Sequence, residues 1–169
     1  MATTINPEQL FFGGPASLTI GGVEAGATVD APRVTITPTV YTPEFIGAKG
    51  PVKGTDIVTR VLAAVEFTVN EFSAVKMGWT MPGSITNDGV TTWTPGRIPD
   101  ASYKDVILTG NGLDDAVMVV NIYDAISVQP LEIDFSDTAI GGMRVRFEGR
   151  YDPDAPTVAP FDITLTGTS

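Results

Sequence analysis

The sequence predicts an all-β fold, a β-sandwich or partial barrel with one short α-helix. Three observations predict it. β-Branched residues alternate with polar ones along several stretches, which is the period of a half-buried strand. The 18 glycines and 13 prolines are scattered without a repeat, as suits many short strands joined by turns. Hydrophobic residues make up 43% of the chain and charged ones 18%, so it can bury a core. With 169 residues and no stretch that reads as a linker, residues 1–169 are expected to form a single domain. Extended arms are expected at about 1–16 and 152–169.

The elements follow in order. Ser17 to Gly22 alternates into a Gly21-Gly22 turn. Val34, Ile36 and Val40 alternate with Thr35, Thr37 and Thr39, and Pro38 marks that strand as an edge or a bulge. Tyr41 to Asp56 is a long glycine- and proline-rich excursion with mixed charges, Glu44, Lys49, Lys53 and Asp56. Ile57–Val69 is the longest strand, with Val61, Ala63, Val65, Phe67 and Val69 on one face. Leu62, Ala64, Glu66, Thr68 and Asn70 take the other.

A short helix is expected next, with Asn70 as N-cap, Glu71 in the first turn and Gly78 at its end. Phe72, Val75 and Met77 would form its apolar side. Asn87-Asp88-Gly89 reads as a hairpin or turn, with Trp79 and Trp93 as core or interface anchors around it. Pro95 to Pro99 reads as irregular chain. Strands resume at Tyr103–Leu108 and Ala116–Val128, separated by turns at Gly110-Asn111-Gly112 and Asp114-Asp115.

Leu131–Phe135 and Met143–Tyr151 read as a final hairpin. One register matches both of its faces: Phe135 with Met143, Ile133 with Val145, Asp134 with Arg144 and Glu132 with Arg146. A short strand at Phe161–Leu165 closes the chain. The arms carry apolar residues, Leu10, Phe11 and Phe12 in one and Phe161 and Ile163 in the other, and such arms usually dock.

Twenty acids against ten bases give a net charge of −10 with no histidine, and −8 of it falls from Ile98 onward. Such a chain repels phosphate backbones. Without His or Cys there is no Ser–His–Asp or Cys–His nucleophile and no preferred zinc ligand set. No phosphate-binding or dinucleotide glycine motif is present. Asp114-Asp115 and Asp152-x-Asp154 are the remaining cation candidates, but Pro153, Pro156 and an incomplete oxygen set favour solvated turns. No cofactor, metal or catalytic residue is therefore expected. No apolar run reaches the roughly 18 residues of a membrane helix, and Met1–Leu10 shows no signal peptide.

The order of these elements resembles the tail tube (major tail) proteins of long-tailed siphophages. Leu18-Thr19-Ile20-Gly21-Gly22-Val23, then Gly26-Ala27-Thr28, is similar to the opening of that family. The segment with Glu44 and Gly50-Pro51-Val52-Lys53-Gly54, ahead of the long Ile57–Val69 strand, is similar to its central part. Asn70–Met77 and Met143–Asp154 match its later steps, whereas Ser84–Pro99 has no counterpart in it.

The resemblance implies a structural virion protein, made in the host cytoplasm, with no enzymatic activity. Its copies would form hexameric rings that stack into a tube, with strands of all six subunits closing a barrel around the lumen. DNA would pass through without specific binding, and other tail proteins would be partners. Thr35, Thr37, Thr39, Glu66, Thr68 and Asn70 are expected to face the bore, Glu66 adding a ring of negative charge. Tyr41, Glu44, Lys49, Lys53 and Asp56 are expected to reach a neighbouring subunit. The alternative is a β-sandwich module that binds carbohydrate or another surface, and a third reading is a glycosidase working through paired carboxylates.

Overall fold

The computed structural model describes residues 17–26, 28, 31–47, 50–71, 73–87, 90–93, 95–111, 116–132 and 142–166. The chain is strand-rich, and its sheets are antiparallel throughout. The strands are β1 (Ser17–Ile20), β2 (Val23–Glu24), β3 (Arg33–Tyr41), β4 (Ile57–Val69), β5 (Ser84–Asn87), β6 (Val90–Trp93), β7 (Lys104–Asn111), β8 (Val117–Ser127), β9 (Met143–Glu148) and β10 (Phe161–Thr166). The helix α1 (Ala74–Thr80) lies between β4 and β5. Eight strands form one bent sheet in the order β2-β1-β7-β8-β9-β4-β3, with β10 added on β8, while β5 and β6 form a separate hairpin.

β8 joins the two layers. Its first part, Val117–Ile122, lies between β7 and β10, and its end, Ile126–Ser127, pairs with β9. The change of partner falls at Asp124, whose φ of 47° is the one positive value of a non-glycine residue among the described residues. Asp tolerates that region better than most side chains. β7 shifts register at the same level, between Lys104 and Val106. A bulge beside a left-handed residue bends both strands and folds the sheet back on itself.

The core lies between the layers. Leu18, Ile20, Val106, Val120 and Ile122 from one meet Val65, Phe67, Val69, Met143, Val145 and Phe147 from the other. Phe67 and Phe147 stack with ring centroids 6.3 Å apart. Each large apolar side chain so buried contributes about 1.5–3 kcal/mol. Gly149 is needed by close approach: a Cβ there would lie 2.9 Å from Ile122 Cγ2 and 3.0 Å from the Pro160 carbonyl oxygen.

The long strands stand where alternation puts them, and Pro38 is explained twice over. β3 is an edge strand, and its register shifts between Thr39 and Val40. Other expectations are corrected. The helix is capped by Ser73, whose hydroxyl accepts from Lys76 N at 3.2 Å, not by Asn70. Gly78 lies within the helix, not at its end. Lys76, Trp79 and Thr80 are its buried residues, whereas Val75 is exposed. The Lys76 ammonium is satisfied by Ala25 O at 2.9 Å and Glu71 Oε2 at 2.6 Å, which is why a lysine can face inward. Phe72 lies outside the described residues.

Gly110 and Asn111 continue β7 rather than turn, and Gly112 to Asp115 lie outside the described residues. Trp79 is a core anchor, but Trp93 is exposed. The expected closing strand is present as Phe161–Thr166, which pairs with β8 over its whole length. The N-terminal arm, 1–16, lies outside the described residues.

Candidate functional site

Two features of the β3–β4 hairpin stand apart from the packed body. The first is its outer face. The register puts Arg33 opposite Glu66, Thr35 opposite Ala64, Thr37 opposite Leu62 and Thr39 opposite Arg60. On the other side of β4, Glu66 faces Arg146, Thr68 faces Arg144 and Ala64 faces Glu148. Directly paired residues share a face. Thr35, Thr37, Thr39, Glu66 and Thr68 therefore do stand together, on the side of β3–β4–β9 turned away from the core. Asn70 does not join them. It lies past the end of β4, half-buried, with its Oδ1 enclosed and lacking a hydrogen-bond partner.

Glu66 is not a bare acid. Arg146 Nη1 donates to its Oε1 at 2.8 Å, and Arg144 Nη2 lies 3.7 Å from Oε2. Arg146 also meets Glu148 Oε1 at 3.2 Å, and Arg150 meets Glu148 Oε2 at 3.4 Å. The hydrogen bond that it donates to Glu66 holds the Arg146 guanidinium above its usual pKa, against the opposing effect of burial. Alternation alone exposes Glu66; it does not reveal the arginines on the next strand.

These pairs correct the expected register of the last hairpin. Ile126 lies opposite Glu148 and Ser127 opposite Phe147, and Val128 N donates to Arg146 O at 3.1 Å. Arg146 thus faces Val128 on that side, and Glu132 is exposed beyond the end of β8 without pairing with it. β4 is the second neighbour of β9, which alternation along β9 does not reveal. Asp134, Ile133 and Phe135, and with them the expected Asp134–Arg144 pair, lie outside the described residues.

The second feature is the far end of the hairpin. β9 pairs with β4 only from Ala64 to Val69, and Tyr151 extends the contact by bonding the Val61 backbone through its hydroxyl. Beyond Val61, β3 and β4 run on as a two-stranded ribbon. Val40, Tyr41, Ile57 and Val58 on it are exposed, as are Phe45, Ile46 and Val52 in the connecting loop. Thr42 Oγ1 donates to Asp56 Oδ1 at 2.6 Å and closes the loop at its base. Glu44 and Lys53 are exposed in it, and Lys49 lies outside the described residues. A lone two-stranded ribbon is marginal in water, and apolar side chains at its tip call for a cover.

A third region is acidic. Arg97, Asp100, Tyr103, Asp124, Arg150, Tyr151 and Asp152 line an open cleft of about 540 Å³. Partial burial, then Asp105, then Asp152 push the Asp124 carboxyl above its ordinary pKa. Asp152 Oδ1 accepts from Asp154 N at 2.8 Å, which makes that stretch a side-chain-closed turn. No group of three potential ligands is placed to hold a metal ion among the described residues. No helix there is long and apolar enough to cross a membrane.

No protein-family model matches the chain, and no curated protein matches it in sequence.

Proposed function

We propose that this chain is a structural subunit that assembles with copies of itself, as the tail tube protein of a long-tailed bacteriophage does. The observation that carries the reading is the β3–β4 ribbon, which projects apolar side chains, Phe45 and Ile46 foremost, beyond the folded body. Free strands support it as well. β3 ends one side of the bent sheet, and β10, bearing exposed Ile163 and Leu165, has no strand on its outer side among the described residues. Such edges either pair with another chain or must be blocked. Ring closure removes them, and a loop that reaches the adjacent ring covers the ribbon tip. The work is mechanical: a conduit through which DNA slides, in the virion, without catalysis.

The bore is the part of this reading that the charges revise. A face on which Glu66 is matched by two arginines supplies no ring of negative charge, so the conduit's acidic lining must come from another part of an acidic chain. The second reading, a carbohydrate-binding module, rests on the cleft with Tyr103, Tyr151 and its carboxylates. Electron microscopy of the purified protein, with sedimentation over a wide concentration range, separates the two. Rings or tubes are expected, and deleting Gly47–Gly54 should abolish them while leaving a folded subunit. A strict monomer that binds oligosaccharides would overturn the tube.

A further inference from the structure

We infer that the outer face of β3–β4–β9 is a docking surface for a second copy of this chain, held by charge; the inference rests on the self-assembly proposed above. The face carries Arg33, Arg60, Arg144 and Arg146 against Glu66 and Glu148. Four cations against two anions give it +2. The whole chain carries −10, so everything outside this face carries −12. The basic residues are not spread evenly over an acidic protein: four of its ten stand on one side of three neighbouring strands.

The arginines divide into two kinds. Arg146 is committed inward, to Glu66 and Glu148, with its side chain 30% exposed. Arg144 touches Glu66 only at 3.7 Å and is 63% exposed. Arg33 and Arg60 are exposed and have no ion-pair partner among the described residues. Both therefore offer charge outward, at the two ends of the regular β3–β4 register that runs from Arg33 to the shift after Thr39, with Thr35 and Thr37 between them and Thr39 opposite Arg60 on an edge strand. That arrangement gives cations for carboxylates, hydroxyls for hydrogen bonds and an open strand edge. Any other surface of the same chain is on average acidic, so the best complement on hand is another copy.

The contact is head-to-tail, because a basic face meets a different, acidic surface. A self-complementary twofold contact would instead oppose arginine to arginine. Head-to-tail contacts generate closed rings or open arrays, not isolated dimers. Charge complementarity of this kind fixes orientation and speeds encounter more than it adds affinity.

The test is sedimentation velocity on the full chain, comparing wild type, Arg33→Glu/Arg60→Glu, the single Arg60→Glu and the charge-keeping Arg33→Lys/Arg60→Lys. Circular dichroism melts check folding, and neither arginine holds a partner whose loss would unfold the subunit. Double reversal should weaken association by about tenfold or more, single reversal by less, and the lysine variant little. Raising salt from roughly 0.05 M to 0.5 M should weaken the wild type in the same direction. Folded reversal variants that associate like wild type would overturn the inference, and tubes under the microscope would then leave the proposed function standing. Wild-type assemblies that are sensitive to reversal but are not tubes would keep the inference and reject the tube. A wild-type monomer that instead binds duplex DNA through Arg33 and Arg60 would overturn both.

Discussion

The Glu66–Arg146 pair tests most directly what the structure adds to the sequence. From alternation alone Glu66 is an exposed acid, and reversing it should barely touch folding. Its 2.8 Å bond to Arg146 says otherwise. The two side chains are 24% and 30% exposed, so the pair belongs between surface pairs, worth about 0.2–1 kcal/mol, and buried ones, which cost about 3–5 kcal/mol to break. A double-mutant cycle with Glu66→Gln and Arg146→Met should give a coupling of about 1 kcal/mol. Glutamine keeps an acceptor oxygen and methionine keeps the stem, so the cycle isolates charge. Arg144, 3.7 Å from Glu66, limits the loss when Arg146 alone is removed. Glu66→Lys should cost more, about 2 kcal/mol, because it sets a third cation beside two arginines. Urea denaturation measures this as a midpoint lowered by about 1 M at a slope near 2 kcal/mol/M. A coupling below about 0.3 kcal/mol, or a Glu66→Lys protein as stable as wild type, would refute the placement of these strands.

Three further outcomes are expected. Asp124→Asn should stabilise the protein at neutral pH by at most roughly 0.5 kcal/mol, a figure kept small because Asp124 is exposed and solvent screens its charge. Its folded-state pKa is raised, so wild type gains stability as pH falls through that value and loses it as the group ionises; the advantage of asparagine should therefore vanish in acid, as melts from neutral pH to pH below about 4 would show. Phe147→Ala removes a ring 1% exposed and stacked on Phe67, and should cost about 3–5 kcal/mol in chemical denaturation; a loss under about 1 kcal/mol would contradict the core. Gly149→Ala should lower the melting temperature, since its methyl meets Ile122 and the Pro160 carbonyl, whereas Gly96→Ala, with open space around it, should not do so by any steric clash.

Local chemistry was enough to read the strands. β-Branched alternation located β3 and β4 nearly to the residue, because a half-buried strand must repeat every two positions and few other structures satisfy that pattern. Pro38 announced an edge, since a residue without an N–H cannot serve a central ladder. The short helix was legible as a helix but not in its cap: Asn70 and Ser73 both suit that role, and only packing chose Ser73, by turning Lys76 inward to Ala25 and Glu71.

The candidate site divides along the same line. The sequence by itself determined which residues of each strand share a face, hence the company of Thr35, Thr37 and Thr39, and of Glu66 with Thr68. It also determined the overall acidity and the absence of histidine and cysteine chemistry. Only the tertiary structure decided which strands lie side by side. The final hairpin offered a register with acid opposite base, yet β9 took β4 as its neighbour, and Glu66 rather than Glu132 received Arg146. Strand alternation fixes a side chain's direction with respect to its own backbone. Its partner is set by long-range pairing, in which burial of Val145 and Phe147 against Val65 and Phe67 outweighs the small energy of any one surface ion pair.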